Sequence, residues 1–349
     1  MAGDRFMFNS IFRIISAALA TMLIAGACTA ATDSSTGASV LSDLFSGTIY
    51  FAECSATVVG SVSLDPVYSI PVRMNQEESA SAESDYMLEL RDASGSSIRN
   101  IPFEVREGHA DPISGCSINF ADFDFIVFDP PEYTSFAIKQ EKLEVLVVER
   151  SANAPSVSVT GVNENQYFSN NETIDLFWVG SDEDNDSLTY KVLYSVDGGN
   201  SYKRYFSLRK TSQTGSTINT ARIPGSNRSR FGVSVSNGTR SSFTETPIFR
   251  LEEHKPRLYI TNSSSSSRFS VKQGFKLSAR GVDNEDGRLD RDTFIWHSSI
   301  DGSLGTGEFA EILPDQLSIG KHEITVTGVD SSGMSGTASI TIHITDTVF

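Results

Sequence analysis

The chain has 349 residues, 39% of them hydrophobic, and carries 28 Lys+Arg against 44 Asp+Glu for a net charge of −16. That length allows two or three domains, each with a core of its own. So acidic a surface repels phosphate backbones and argues against nucleic-acid binding, and abundant Gly and Ser without long charged helical runs favour strands and turns.

At the N-terminus, Arg5 and Arg13 precede an apolar run from Ile14 to Ile24, then Ala25-Gly26-Ala27 and Cys28. A basic start, a short apolar core and small residues make 1–27 a signal peptide. The run falls short of the roughly 20 residues that span a bilayer. Two cleavage readings are open. Ala25-Gly26-Ala27 fits ordinary signal peptidase, whereas Ile24-Ala25-Gly26-Ala27-Cys28 resembles the lipobox of bacterial lipoproteins. The departure is Ala25, where that family usually has Leu. The lipoprotein resemblance implies cleavage before Cys28 and diacylglycerol on its thiol, hence a membrane anchor. Thr29, rather than Asp, implies the outer membrane in a Gram-negative envelope.

The chain has three cysteines, Cys28, Cys54 and Cys116. With Cys28 lipidated two remain, and a Cys54–Cys116 disulfide suits an oxidising compartment; two buried free thiols are the alternative. Thr29–Ser39 are small and polar without periodicity, which predicts a flexible linker over 28–43.

Alternating strands follow. Ser46–Phe51, Tyr86–Leu90, Phe123–Phe128 and Lys142–Val148 predict a β-sandwich over 44–150, with a turn at Asp92-Ala93-Ser94-Gly95 and a stop at Asp129-Pro130-Pro131. A boundary falls at Ser151–Pro155. The second domain, 151–253, has strands at 156–159, 174–179 and 188–195, an acidic turn at Ser181–Asp186, and a hairpin signal at Asp197-Gly198-Gly199. The third, 254–349, repeats this order: Phe275–Ala279, an acidic turn through Asp283–Gly287, Phe294-Ile295-Trp296, then Ile300-Asp301-Gly302. Asp182 and Asp283 lie 101 positions apart, the size of one immunoglobulin-like sandwich.

Trp178 to Gly199 resembles bacterial fibronectin-III or cadherin-like modules, in which an acidic turn precedes a Leu-Thr-Tyr strand and an Asp-Gly-Gly turn. Residues 257–346 resemble PKD-type and bacterial Ig-like modules, above all Gly320–Asp330 and Ser339–Ile342. Together with the alternation, this implies an all-β chain of tandem immunoglobulin-like β-sandwiches. It implies no single function, because such modules serve many.

Asp182, Asp184 and Asp186 are candidate calcium ligands, as are Asp283, Glu285 and Asp286 at the corresponding turn, because a hard cation takes 6–8 oxygens. The alternative is two solvated turns rich in Asp for backbone reasons. The five histidines show no zinc spacing, and those in the C-terminal strands, His322 and His343, read as surface residues. The Ser263–Ser267 run lacks a nucleophile elbow. Trp178 and Trp296 read as core anchors. Tyr202, Tyr205 and Phe206 are packed edge rings or, alternatively, a sugar platform. No catalytic set stands out. The expectation is a non-enzymatic surface lipoprotein that binds or adheres to proteins or glycans. The alternatives are a structural spacer of an envelope assembly and, more remotely, a glycan-processing enzyme using a pair of carboxylates.

Overall fold

The structure, a computed structural model, describes residues 39–54, 57–73, 84–113, 116–141, 143–202, 214–264 and 267–347. Strands dominate; the helical turns among the described residues are two 3-10 segments, Thr220–Arg222 and Arg291–Thr293. Buried apolar side chains gather in three separate clusters, within 45–138, 162–251 and 258–344. The chain is a series of tandem immunoglobulin-like β-sandwiches.

The first sandwich holds β1 (Ser39–Cys54), β2 (Thr57–Leu64), β3 (Tyr68–Arg73), β4 (Tyr86–Arg91), β5 (Ser97–Pro102), β6 (Arg106–Ile113), β7 (Cys116–Val127), β8 (Ser135–Gln140) and β9 (Leu143–Glu149). One sheet has the order β2-β1-β7-β6 with β3 also on β1; the other is β5-β4-β8-β9. Between them lie Phe45, Phe103, Phe123 and Phe136, with Phe103 stacked on Phe125 at 4.6 Å. Strand β1 corrects the last part of the linker expected over 28–43: Ser39–Leu44 runs antiparallel to β3, while 28–38 lie outside the described residues. Local composition suggests a tether there, but Ser42, Asp43 and Leu44 are buried by strands that arrive later in the sequence.

The second sandwich holds β10 (Ser156–Thr160), β11 (Tyr167–Phe168), β12 (Thr173–Ser181), β13 (Thr189–Ser195), β14 (Gly215–Asn219), β15 (Ser226–Ser236), β16 (Ser241–Glu245) and β17 (Phe249–Leu251). Its sheets are β10-β12-β14 and β11-β17-β15-β13, with β16 on β15. Period-two alternation along β12 turns Ile174, Leu176 and Trp178 inward, and Asp175, Phe177 and Val179 outward. Of the hairpin expected at Asp197-Gly198-Gly199 the described residues show the turn; residues 203–213, which follow it, lie outside them. Strand β13 pairs with β15, and the next described strand, β14, pairs with β12 in the opposite sheet. Asp197 closes that turn, accepting bonds from the Ser201 amide (2.9 Å) and hydroxyl (2.6 Å).

The third sandwich holds β18 (Arg257–Ile260), β19 (Ser267–Ser270), β20 (Phe275–Asp283), β21 (Gly287–Arg288), β22 (Ile295–Ser298), β23 (Gly302–Thr306), β24 (Phe309–Ile312), β25 (Gly320–Val329) and β26 (Ser335–Thr345). Its sheets are β18-β20-β21, with β24 on β20, and β19-β26-β25-β22-β23. Trp178 and Trp296 are fully buried, as core anchors should be. The reading of His322 as a surface residue is overturned. Its ring is fully buried, with Nδ1 2.9 Å from the Ser298 hydroxyl and Nε2 2.7 Å from the Ser318 carbonyl. It ties the turn after β22 and the loop before β25 to the core. A buried ring is tolerated there because both nitrogens have partners.

Candidate functional site: the clasped module junctions

The acidic turns do the same job twice. In the second sandwich, Asp182 Oδ1 accepts the amides of Asp184 (2.9 Å) and Asp186 (3.1 Å), which folds the turn on itself. Its Oδ2 accepts the Asn237 side-chain amide from the β15–β16 hairpin at 2.9 Å. The other two carboxylates grip the linker from the first sandwich. Asp184 accepts the Asn153 amide (2.8 Å) and side chain (2.9 Å), and Asp186 accepts the Ser151 hydroxyl (2.6 Å). Burial pulls the Asp182 carboxyl upward, but the bonds from Asn237, Asp186 and Asp184 outweigh it and hold the group below its ordinary value.

Further contacts join the first two sandwiches directly. The Tyr68 hydroxyl donates to Thr189 at 2.9 Å, the hydroxyls of Ser69 and Ser241 lie 2.8 Å apart, and the Val67 amide donates to the Gly238 carbonyl at 3.0 Å. Arg240 donates to the Ser151 carbonyl (2.6 Å) and to Glu132 (2.9 Å). Beneath this seam is a buried carboxylate, Asp43, which accepts Ser69 Oγ and Tyr133 Oη, each at 2.9 Å. The Arg150 guanidinium lies 3.8 Å over the Tyr133 ring. Burial first, then the Asp43 charge, pushes the Tyr133 hydroxyl well above the usual phenol range, so it stays a donor. A cavity of about 400 Å³ opens here, lined by Asp43, Ser69, Glu132, Tyr133 and Arg150 among others.

At the third sandwich the clasp recurs. Asp283 Oδ1 accepts the amides of Glu285 (2.8 Å) and Asp286 (3.0 Å). Asp286 takes the amide and hydroxyl of Ser331, each at 2.7 Å, from the β25–β26 hairpin. Glu285 reaches back to the second sandwich, accepting the Gly225 amide at 2.6 Å, with His254 Nδ1 2.8 Å away in the linker. Asn284 donates to the Ala221 carbonyl at 3.0 Å. The oxygens Asp283 Oδ2 and Glu285 Oε2 are buried without a donor from any other group. A proton on Asp283, donated to Glu285, satisfies both. Accordingly burial, then Glu285, raises the Asp283 carboxyl to about 6 from 3.8. Burial also pulls Glu285 upward, but His254, the Gly225 amide and Asp283 outweigh it and lower its value.

This shift has a sign. A raised carboxyl contributes stability that is present below the unfolded value of 3.8 and lost as pH rises through about 6. Asp283→Asn keeps the Oδ1 acceptor and supplies a permanent N–H donor to Glu285. The variant is expected to be more stable than wild type near pH 7.5, by roughly 1–2 kcal/mol, with the gap closing towards pH 4. Thermal unfolding across that range checks it; an equal or lower melting temperature near pH 7.5 would rule the shared proton out.

As for cation binding, Asp182, Asp184 and Asp186 bring carboxylate oxygens within 4.8 Å of one another, and Asp283, Glu285 and Asp286 form no such group. In the first set, the carboxylates that would ligate calcium already accept N–H and O–H donors from the turn and the linker. Loop composition pointed to these residues; their partners, 31 to 55 positions away, could not be read from it.

Of the other sequence candidates, Cys28 lies outside the described residues, as do Tyr205 and Phe206. For Cys54 and Cys116 the strand pairing is described and the thiols are not. Tyr202 packs edge-on to Phe243 at 5.3 Å and donates to Glu245 at 2.6 Å, so it is held against the sheet. Sequence reading missed Asp43, Tyr133 and Arg150. A buried acid in a presumed linker leaves no local signal. Its partner Ser69 is fixed only by the β1–β3 register, which sets the two opposite each other.

No family model matches the chain, and no curated protein matches it. Solved structures with similar regions include the fibronectin(III)-like modules of Clostridium thermocellum CbhA, at 19% identity over 54% of this chain and 94% of that one, with a TM-score of 0.23. Drosophila N-cadherin EC1-4 is similar at 12% identity over 80% and 70%, TM-score 0.24. The insect immune protein hemolin is similar at 11% identity over 84% and 80%, TM-score 0.27. Likenesses this distant carry no argument about activity.

Proposed function

We propose that this protein is a non-enzymatic binding or adhesion protein of a bacterial envelope, held on the membrane by a lipid on Cys28. The observation that supports it is the repeated clasp. In each acidic turn some carboxylates fold the turn or hold a hairpin of the same sandwich, and others, Asp184 and Asp186 in one and Glu285 in the other, join it to the element before it, an arrangement suited to presenting surface at a set distance from an anchor. The ligand is a protein or a glycan. Exposed Phe177 and Val179, on the outer face of β12, offer apolar contact area of the kind a partner covers.

The clasps equally suit a spacer that holds another envelope component off the membrane, and one experiment separates the two. Full-length protein in detergent is used to capture partners from a cell-envelope extract, beside a Phe177→Ser/Val179→Ser variant. A partner lost in the variant supports binding through this face. A partner retained by both moves the site elsewhere on the chain. No partner and no hydrolase activity leaves the spacer, and hydrolase activity sinks both.

The anchor has its own test. Cys28→Ala is expected to abolish fatty-acid labelling and to move the protein from the membrane to the soluble fraction. A single acyl chain holds a protein only marginally, whereas two or more hold it stably. Unchanged labelling would remove the lipoprotein reading and leave ordinary signal-peptidase cleavage.

A further inference from the structure

Strands β1 and β7 run antiparallel in unbroken register from Asp43↔Val127 to Glu53↔Ser117. The next position on β1 is Cys54 and the next on β7 is Cys116, the terminal residue of each strand. Each also ends an antiparallel pairing with the neighbouring strand: Cys54 pairs with Thr57 of β2, and Cys116 with Ile113 of β6. Two such pairings therefore end at one edge of the sheet with a cysteine at the same place in each. Directly opposed residues of an antiparallel pair share a face of the sheet. Their Cα atoms lie about 4.5 or about 5.5 Å apart, according to the type of pair. Both spacings fall within the roughly 4.4–6.8 Å that a disulfide spans.

We infer that Cys54 and Cys116 form a disulfide that staples the β1–β2 hairpin to the β6–β7 hairpin. Counting cysteines only made the pair possible; the register places the two opposite each other. Two thiols give up two protons and two electrons, and a donor disulfide in the export compartment takes them to become a dithiol. The pairing itself rests on the strand register. Closure in the cell also rests on the proposed export.

The test uses the full chain from two sources: exported protein extracted in detergent, and protein made in a reducing cytosol and then incubated with oxidised glutathione. Each is unfolded in iodoacetamide without reductant, digested, and read by mass spectrometry. The expected result is no alkylation at Cys54 or Cys116 and one linked peptide pair, lost on reduction. Linkage only after glutathione treatment upholds the pairing and refutes export. Alkylation of both thiols in both samples overturns the inference, and so does a link between two chains or glutathione on each cysteine. In Cys54→Ser, Cys116 should become fully alkylated; if that variant does not fold, the two wild-type samples still decide.

Discussion

Asp43→Ala is expected to destabilise the first sandwich by about 3–4 kcal/mol, because it removes two hydrogen bonds to a buried carboxylate and strands their donors. Asp43 is 5% exposed, and its two oxygens are held by Ser69 and Tyr133. Without it, the Tyr133 hydroxyl, kept protonated by burial, loses its acceptor. Ser69 keeps only Ser241, across the seam in the second sandwich. The effect should therefore cross the junction. Hydrogen exchange of the full chain should speed up in β1, β3 and β8, and also in β16, which carries Ser241. Tyr133→Phe leaves Asp43 its bond from Ser69 and should cost less, about 1–2 kcal/mol. Exchange in Asp43→Ala indistinguishable from wild type would show that the carboxylate holds nothing together. Faster exchange confined to the first sandwich would uphold its local role and refute the coupling.

Trp296→Ala is expected to cost the third sandwich about 3–5 kcal/mol, the range for emptying a large buried aromatic site. A domain is stable by only about 5–15 kcal/mol, so this one should unfold well before its neighbours on heating. The milder Phe substitutions at the two tryptophans give a finer comparison. Trp296 Nε1 donates to the Gly307 carbonyl at 2.9 Å, whereas Trp178 Nε1 is buried without a partner. Trp296→Phe therefore loses ring volume and a hydrogen bond and leaves a carbonyl unpaired. Trp178→Phe loses volume and relieves an unpaired donor. The first should be the more destabilising by about 1 kcal/mol or more. Calorimetry of the full chain, with the sandwich transitions assigned by the Ala variants, measures the difference. The reverse order would contradict the bonding described at the two rings.

Much of the fold is legible in local pattern. Alternation in Ile174–Val179 predicts a strand with one apolar face, and β12 has it. Asp92-Ala93-Ser94-Gly95 predicts a turn, and Asp92 Oδ1 closes it by accepting the Ser94 and Ser96 amides at 2.8 and 3.0 Å. The same alternation also held the correction to His322. Counted in twos from Ile324 and Val326, it falls on their inward face. A histidine can be buried wherever two partners meet its ring; Ser318 is four positions away, but Ser298 is 24 positions away in another strand.

The sequence by itself determined the all-β class, the places of most strands, the two tryptophan anchors, and the recurrence of an acidic turn about one sandwich apart. These follow from backbone and side-chain preferences that act over a few residues, with a period of two for strands and Asx bonding for turns. Only the tertiary structure decided what the acidic turns hold, that Ser39–Asp43 is strand and not tether, and that Glu53, next to Cys54, pairs with Ser117, next to Cys116. Each of these depends on register between segments tens of residues apart. A period-two pattern says which face a side chain takes; it carries no information about which strand lies alongside.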